Sequence, residues 1–179
     1  MNYKKYKIKD IFEVINGLWN GKTSDLVECK VIRNTNFKNN GYMNLKDIAI
    51  LNVDKKALST RELEYGDIIL EKSGGSDTQP VGRVILFDLK EKFYSFSNFT
   101  SCLRIKDEDI FYSKYCFYFL FNFWLNKNTE TLQRRTTGIR NLDMNLYLEI
   151  NINLPLPFFT SPFFWMNNPK TTAKNMKLR

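Results

Sequence analysis

Residues 66–88 read GDIILEKSGGSDTQPVGRVILFD, two aliphatic runs on either side of a polar loop with paired glycines. Ile68 to Glu71 has the composition of a buried strand, Gly74-Gly75-Ser76 interrupts it, and Val81 to Asp88 resumes the pattern. The segment therefore predicts two strands around a long loop. Further along, residues 93–105 alternate aromatic and small polar side chains with a period of two, which predicts a half-buried strand. Residues 111–125 (FYSKYCFYFLFNFWL) are the most apolar stretch and predict a helix entering the core, too short to span a bilayer. Toward the N-terminus, residues 27–34 predict a strand, Asn39-Asn40-Gly41 a turn followed by a polar, mixed stretch to Thr60, and residues 6–20 a helical turn and a strand ending at Gly17. Toward the C-terminus, a polar stretch (126–141), a short amphipathic piece (142–148) and a strand ending at Leu154-Pro155 follow. The expectation is one α+β (mixed α/β) domain over residues 1–157, with a mostly antiparallel or mixed twisted sheet and a few helices.

The chain has 179 residues, room for one domain with a buried core. It contains no histidine, which excludes Ser-His-Asp and Cys-His catalysis, imidazole-ligated zinc and a histidine general base. Cys29, Cys102 and Cys116 are far apart and odd in number, so they argue against a disulfide framework and against a Cys-x-x-Cys metal site. No long apolar run and no signal-like N-terminus is present, so a soluble, cytoplasmic chain without membrane contact is expected. The formal charge is +8, yet Lys170, Lys174, Lys177 and Arg179 supply half of it, leaving +4 on residues 1–157. Bulk charge alone is thus weak evidence for a polyanionic partner, and local distribution has to decide.

Three segments carry the chemistry of nucleic-acid contact. In the loop Lys72-Ser73-Gly74-Gly75-Ser76-Asp77-Thr78-Gln79, the glycines allow close backbone approach. Gln79 suits bidentate bonding to adenine, and Lys72 and Arg83 suit phosphate. In residues 133–141, Arg134, Arg135 and Arg140 present planar forks for guanine or phosphate, with Thr136 and Thr137 between them. In residues 30–36, a strand runs into Arg33 and Asn34, whose side chains match base edges. An ordinary hairpin loop, a solvated basic turn and a strand end with turn-forming asparagines would read the same way. Catalytic patterns are poor. Asp10 with Glu28 and Lys30, or Asp47 with Asp54 and Lys56, loosely matches a Mg²⁺-dependent nuclease, a pattern degenerate enough to occur twice. There is no glycine-rich cofactor loop of a methyltransferase.

Taken in order, Gly66 to Ser76 and Thr78 to Val84 resemble the central signature of type I restriction–modification specificity subunits. Ser95 to Thr100, Thr136 to Asp143, Ile152 to Pro157 and the opening Ile8 to Val14 with Asn16-Gly17 extend the resemblance over about residues 3–157. It implies a non-catalytic DNA target recognition domain that reads one half of a bipartite double-stranded site. Such a domain directs a modification subunit that transfers a methyl group from S-adenosylmethionine to adenine N6, and a translocating restriction subunit joins the assembly. The cofactor would sit on the partner and none on this chain. The alternatives are a protein-interaction half-subunit that forms a homodimer or occupies the modification subunit, and, further off, the nuclease.

The resemblance stops at Pro157. Family members carry two recognition domains joined by long docking helices, whereas Phe158 to Arg179 is aromatic and then basic, with no heptad pattern. Trp165-Met166-Asn167-Asn168 must be encoded TGG ATG AAY AAY. Read from the third base, this gives Asp-Glu followed by Gln or a stop, close to what the family shows at that place. Residues 158–179 are therefore expected to be a frameshifted tail in place of the docking helix. Sequencing the coding DNA tests this: another frame should continue into a helix-forming sequence, and its absence there overturns the idea.

Overall fold

The computed structural model describes residues 2–18, 25–76, 78–136 and 139–156. The expected tail at 158–179 and its boundary lie outside them. In chain order the elements are β1 (Asn2–Lys7), α1 (Ile8–Ile11), β2 (Phe12–Asn16), β3 (Leu26–Ile32), β4 (Ala49–Asp54), α2 (Lys55–Ser59), β5 (Ile68–Glu71), β6 (Ser73–Gly74), β7 (Val84–Leu86), β8 (Tyr94–Phe96), β9 (Thr100–Ile105), α3 (Ser113–Leu125), β10 (Gln133–Thr136), β11 (Ile139–Leu142), α4 (Met144–Leu148) and β12 (Asn151–Leu156). The architecture is α+β, as expected, with the strands shared among four sheets rather than one.

β5 and β7 are the two strands anticipated around the loop, and they pair antiparallel. They belong to the sheet β2-β9-β5-β7, in which β5 is an inner strand, and because both faces of the sheet are covered every one of its side chains is buried. The period of two then divides β5 between two cores. Ile68 and Leu70 pack with Val84, Leu103 and the α3 residues Cys116, Phe117 and Leu120. Ile69 faces the other way with Ile85, Cys102, Phe96 and Ile32. One face of the sheet thus lies under α3, and the other under the sheet β4-β3-β8, where β3 pairs parallel with β8. Each fully buried Leu, Ile or Phe contributes about 1.5–3 kcal/mol over leaving it exposed.

Three readings are corrected. Residues 93–105 form two strands joined by a turn, with Thr100 N–H bonded to the Ser97 carbonyl at 3.0 Å. Their small polar residues are not solvent-facing: Ser95, Thr100 and Ser101 are fully buried because both faces are covered. The polar stretch before Thr60 contains β4 and α2, and residues 126–141 contain β10 and all of β11 but its last residue, Leu142. Gly17 is a close-approach position, where a Cβ would lie 1.9 Å from the Ser97 carbonyl oxygen. No helix among the described residues is long and apolar enough to cross a membrane.

Arg83, expected at a phosphate, belongs instead to the scaffold. On β7's approach it falls on the same side as Ile85, as Glu71 falls with Ile69, so both point into the protein. Arg83 Nε and Nη2 donate to the two Glu71 carboxylate oxygens at 2.8 and 2.9 Å. Nη1 donates to the Phe37 carbonyl at 3.1 Å and Asn39 Oδ1 at 3.2 Å, and Nη2 also donates to the Asn34 carbonyl at 3.1 Å. All five guanidinium N–H donors are thereby used, leaving none for a phosphate. A second such cluster binds Arg104 on β9 to Asp67, just before β5, at 2.7 and 2.9 Å.

β1 and β12 pair antiparallel, bringing the two ends of the described domain side by side. Glu149, just after α4, bridges Lys7 at 2.6 Å and Lys9 at 2.5 Å. The hydrogen bonds from Lys7 and Lys9 hold its carboxyl down at about 2.

Two outcomes follow. Arg83→Ala strands Glu71 as an unpaired buried carboxylate and should lower stability by about 3–5 kcal/mol in urea unfolding; a loss below about 1 kcal/mol would show the pair to be dispensable. Because the folded pKa of Glu149 is depressed, its contribution is complete above the ordinary value near 4.5 and disappears as pH falls toward about 2. Amide exchange at β1 and β12 should therefore quicken over that window, and Glu149→Gln should flatten the dependence.

Candidate nucleic-acid interface

The loop anticipated as the first contact segment is short of slack. Lys72 and Ser73 both donate their backbone N–H to the Phe99 carbonyl, at 3.0 and 3.1 Å. Gly74 has φ +125° and Gly75 φ +66°, and a Cβ on Gly75 would meet the Gln79 carbonyl oxygen at 2.9 Å. Ser76 N–H donates to the Gln79 carbonyl at 2.8 Å, and Gln79 N–H donates back to Ser76 Oγ at 3.1 Å, closing a tight turn. Ser76 and Thr78 stand exposed on it, and Gln79 is half-buried. At the far end Trp124 Nε1 donates to the Pro80 carbonyl at 3.0 Å, and Val81 N–H donates to Gln133 Oε1 at 3.3 Å. The loop is thus tied to α3 and to the β10–β11 hairpin.

That hairpin is the second segment. Its sheet has the order β10-β11-β6, and β6 is Ser73–Gly74 itself. Arg140 lies opposite Gly74 and Asn141 opposite Ser73, whose Oγ donates to Asn141 Oδ1 at 2.7 Å. Two segments separated by some sixty residues of chain therefore share one sheet. Arg134 is exposed and forms an ion pair with Asp143. The Asp143 carboxylate caps α4 by accepting from Leu146 and Asn145 N–H, and those bonds, then Arg134, hold it below its usual range. Arg135 and Thr136 lie on β10, while Thr137 falls outside the described residues.

The third segment joins at Asn34, whose Nδ2 donates to the Ser73 carbonyl at 3.4 Å and lies where a Gly74 Cβ would stand, 2.7 Å away. Arg33 is exposed and donates to the Asp47 carbonyl at 2.9 Å. Of the anticipated residues, the structure joins Asn34, Ser73, Gly74 and Arg140 at β6, places Arg134 and Arg135 one strand farther out at positions on opposite faces of that sheet, and withdraws Arg83 into the protein. Asn16 and Phe99 also join the site. Asn16 Oδ1 accepts from Lys72 Nζ at 2.9 Å, and the Phe99 ring is exposed beside the loop it anchors. Both lie in stretches that carry the resemblance, but nothing in the sequence singled them out as contact residues. Burial holds the Lys72 ammonium below its ordinary pKa, so an anion placed there would relieve a desolvated cation.

The nuclease carboxylates are dispersed. Asp10 accepts from Lys7 N–H at 3.1 Å, Asp54 caps α2 through Ala57 N–H at 2.6 Å, and Lys30 pairs with Glu91 at 3.1 Å. Among the described residues no three His, Cys, Asp or Glu side chains group as metal ligands.

No family model and no curated protein matches this chain. Solved structures do. One is the S subunit of a type I restriction–modification system from M. genitalium, at 17% identity and TM-score 0.56, covering 86% of this chain and 34% of that one. Another is a chain from a structure of complex assembly and conformational transition in the type I R-M system, at 13% identity and TM-score 0.54, covering 98% of this chain and 42% of that one. The chain spans well under half the length of either, and what it shares with them is the fold of one portion of such subunits.

Proposed function

We propose that this chain is a single, non-catalytic target recognition domain of a type I specificity subunit, binding double-stranded DNA on the face built around β6. In this reading it selects one half-site and directs a modification subunit that methylates adenine N6 with its own S-adenosylmethionine, the restriction subunit joining that assembly. The observation that carries the proposal is the union of two donor-rich segments, distant in sequence, in one three-stranded sheet, with the third segment hydrogen-bonded to its edge strand through Asn34, in a fold shared with a type I S subunit. Arginine forks and short polar side chains on rigid strands are the groups that position phosphates and meet base edges. Glu71 and Asp143 are each held on an arginine, which reduces the repulsion a polyanion would meet.

Assayed by itself, one recognition domain binds without the avidity that two half-sites and partner subunits supply, worth ~10²–10⁴-fold. About six phosphate contacts would give a log–log salt slope near −5. Selection from a randomised duplex library at low salt should enrich a short contiguous motif. Arg134→Ala should weaken binding to it by about 1–3 kcal/mol and relax preference at one position. Uniform weakening with a slope change of about 1 would reassign Arg134 to a phosphate. Retention of no duplex by the wild-type chain would overturn the proposal in favour of a protein-interaction half-subunit.

A further inference from the structure

Beyond β6, the chain between β3 and β4 forms a second projection. Residues 30–46 contain Lys30, Arg33, Lys38 and Lys46 and no acid. Phe37 bridges Met43, Lys38 N–H donates to the Tyr42 carbonyl at 3.0 Å, and Gly41 N–H to the Lys38 carbonyl at 3.0 Å, so residues 37–43 make a finger. Its base is fixed. Asn36, buried, donates to the Asn44 carbonyl at 3.0 Å, and Arg83 holds the Phe37 carbonyl and Asn39 from below. Gly41, at φ +84°, fits where a Cβ would press on the α3 rings of Phe117 and Phe121 at 3.1 and 3.2 Å.

The exposed tip is chemically one-sided. Asn39 Oδ1 accepts from Arg83 at 3.2 Å and Asn40 Oδ1 from Tyr42 N–H at 3.2 Å. Each partner can only donate, so the amide orientations are fixed and the NH₂ groups are left to face away. Lys38 is exposed on the same finger, which thus offers donors and a positive charge. The complementary ligand is an anionic surface made of acceptors, which describes phosphodiester oxygens and the adenine N3 and thymine O2 edge of the minor groove. Tyr42, 71% exposed, adds an aromatic face at the tip.

We propose that the 37–43 finger is a second duplex contact that positions the domain without reading sequence. This rests on the DNA-binding reading above, since Asn34 ties the finger's root to the β6 face. The test uses the full chain and a labelled mixed-sequence duplex. A Lys38→Ala/Asn40→Ala variant should keep the wild-type melting temperature and bind about 10-fold more weakly, equally across sequences. Its salt slope should be smaller by about 1. If the wild type binds duplex and Arg134→Ala weakens it but the finger variant matches the wild type, the finger proposal is overturned and the β6 face stands. If polyglutamate competes as well as DNA and the variant loses both, the finger is an acidic-protein surface and the proposal also fails. If the wild type binds no duplex, both fall together.

Discussion

The buried pair between Glu71 and Arg83 is the constraint on which the upper surface of this domain depends. The carboxylate sits at the end of the central strand β5, and the guanidinium lies across the hairpin from it. The arginine spends its remaining donors on the carbonyls of Asn34 and Phe37 and on Asn39. Two charges removed from water are tolerated only when every donor and acceptor finds a partner, and here the partners are backbone groups of a loop far away in sequence. Folding the sheet therefore also fixes where the 33–44 segment sits, at the root of one projection and against the rim of the other.

The polar surface is built by short, well-tied pieces. β6 is two residues long, yet it is held by Phe99, Asn34 and β11 at once. A surface assembled this way holds its side chains on strands and closed turns, so under the proposed function less ordering would remain to be done when a ligand arrives. Lys72, half-buried against Asn16, and Arg134, held by Asp143, are cations positioned by partners within the domain.

Fold similarity at 13–17% identity speaks to backbone architecture. The side chains on the β6 face and on the finger belong to this sequence. Base readout depends on loop side chains rather than on the scaffold, so one fold can serve many targets.

The strands and helix with apolar periods, β5, β7 and α3, were legible in residues 66–88 and 111–125, because burial against a core writes a repeating pattern into the side chains. The motif order around Gly66 to Val84 likewise pointed to the fold that this chain shares with a type I S subunit. The pairing of β6 with β11 was not legible, since short polar strands joined through backbone bonds leave no side-chain signature. Nor was the fate of Arg83. An arginine in a basic, glycine-rich stretch has the same letter whether it meets a phosphate or a buried glutamate, and only the packing of β5, β7 and the 34–39 turn around it decided which.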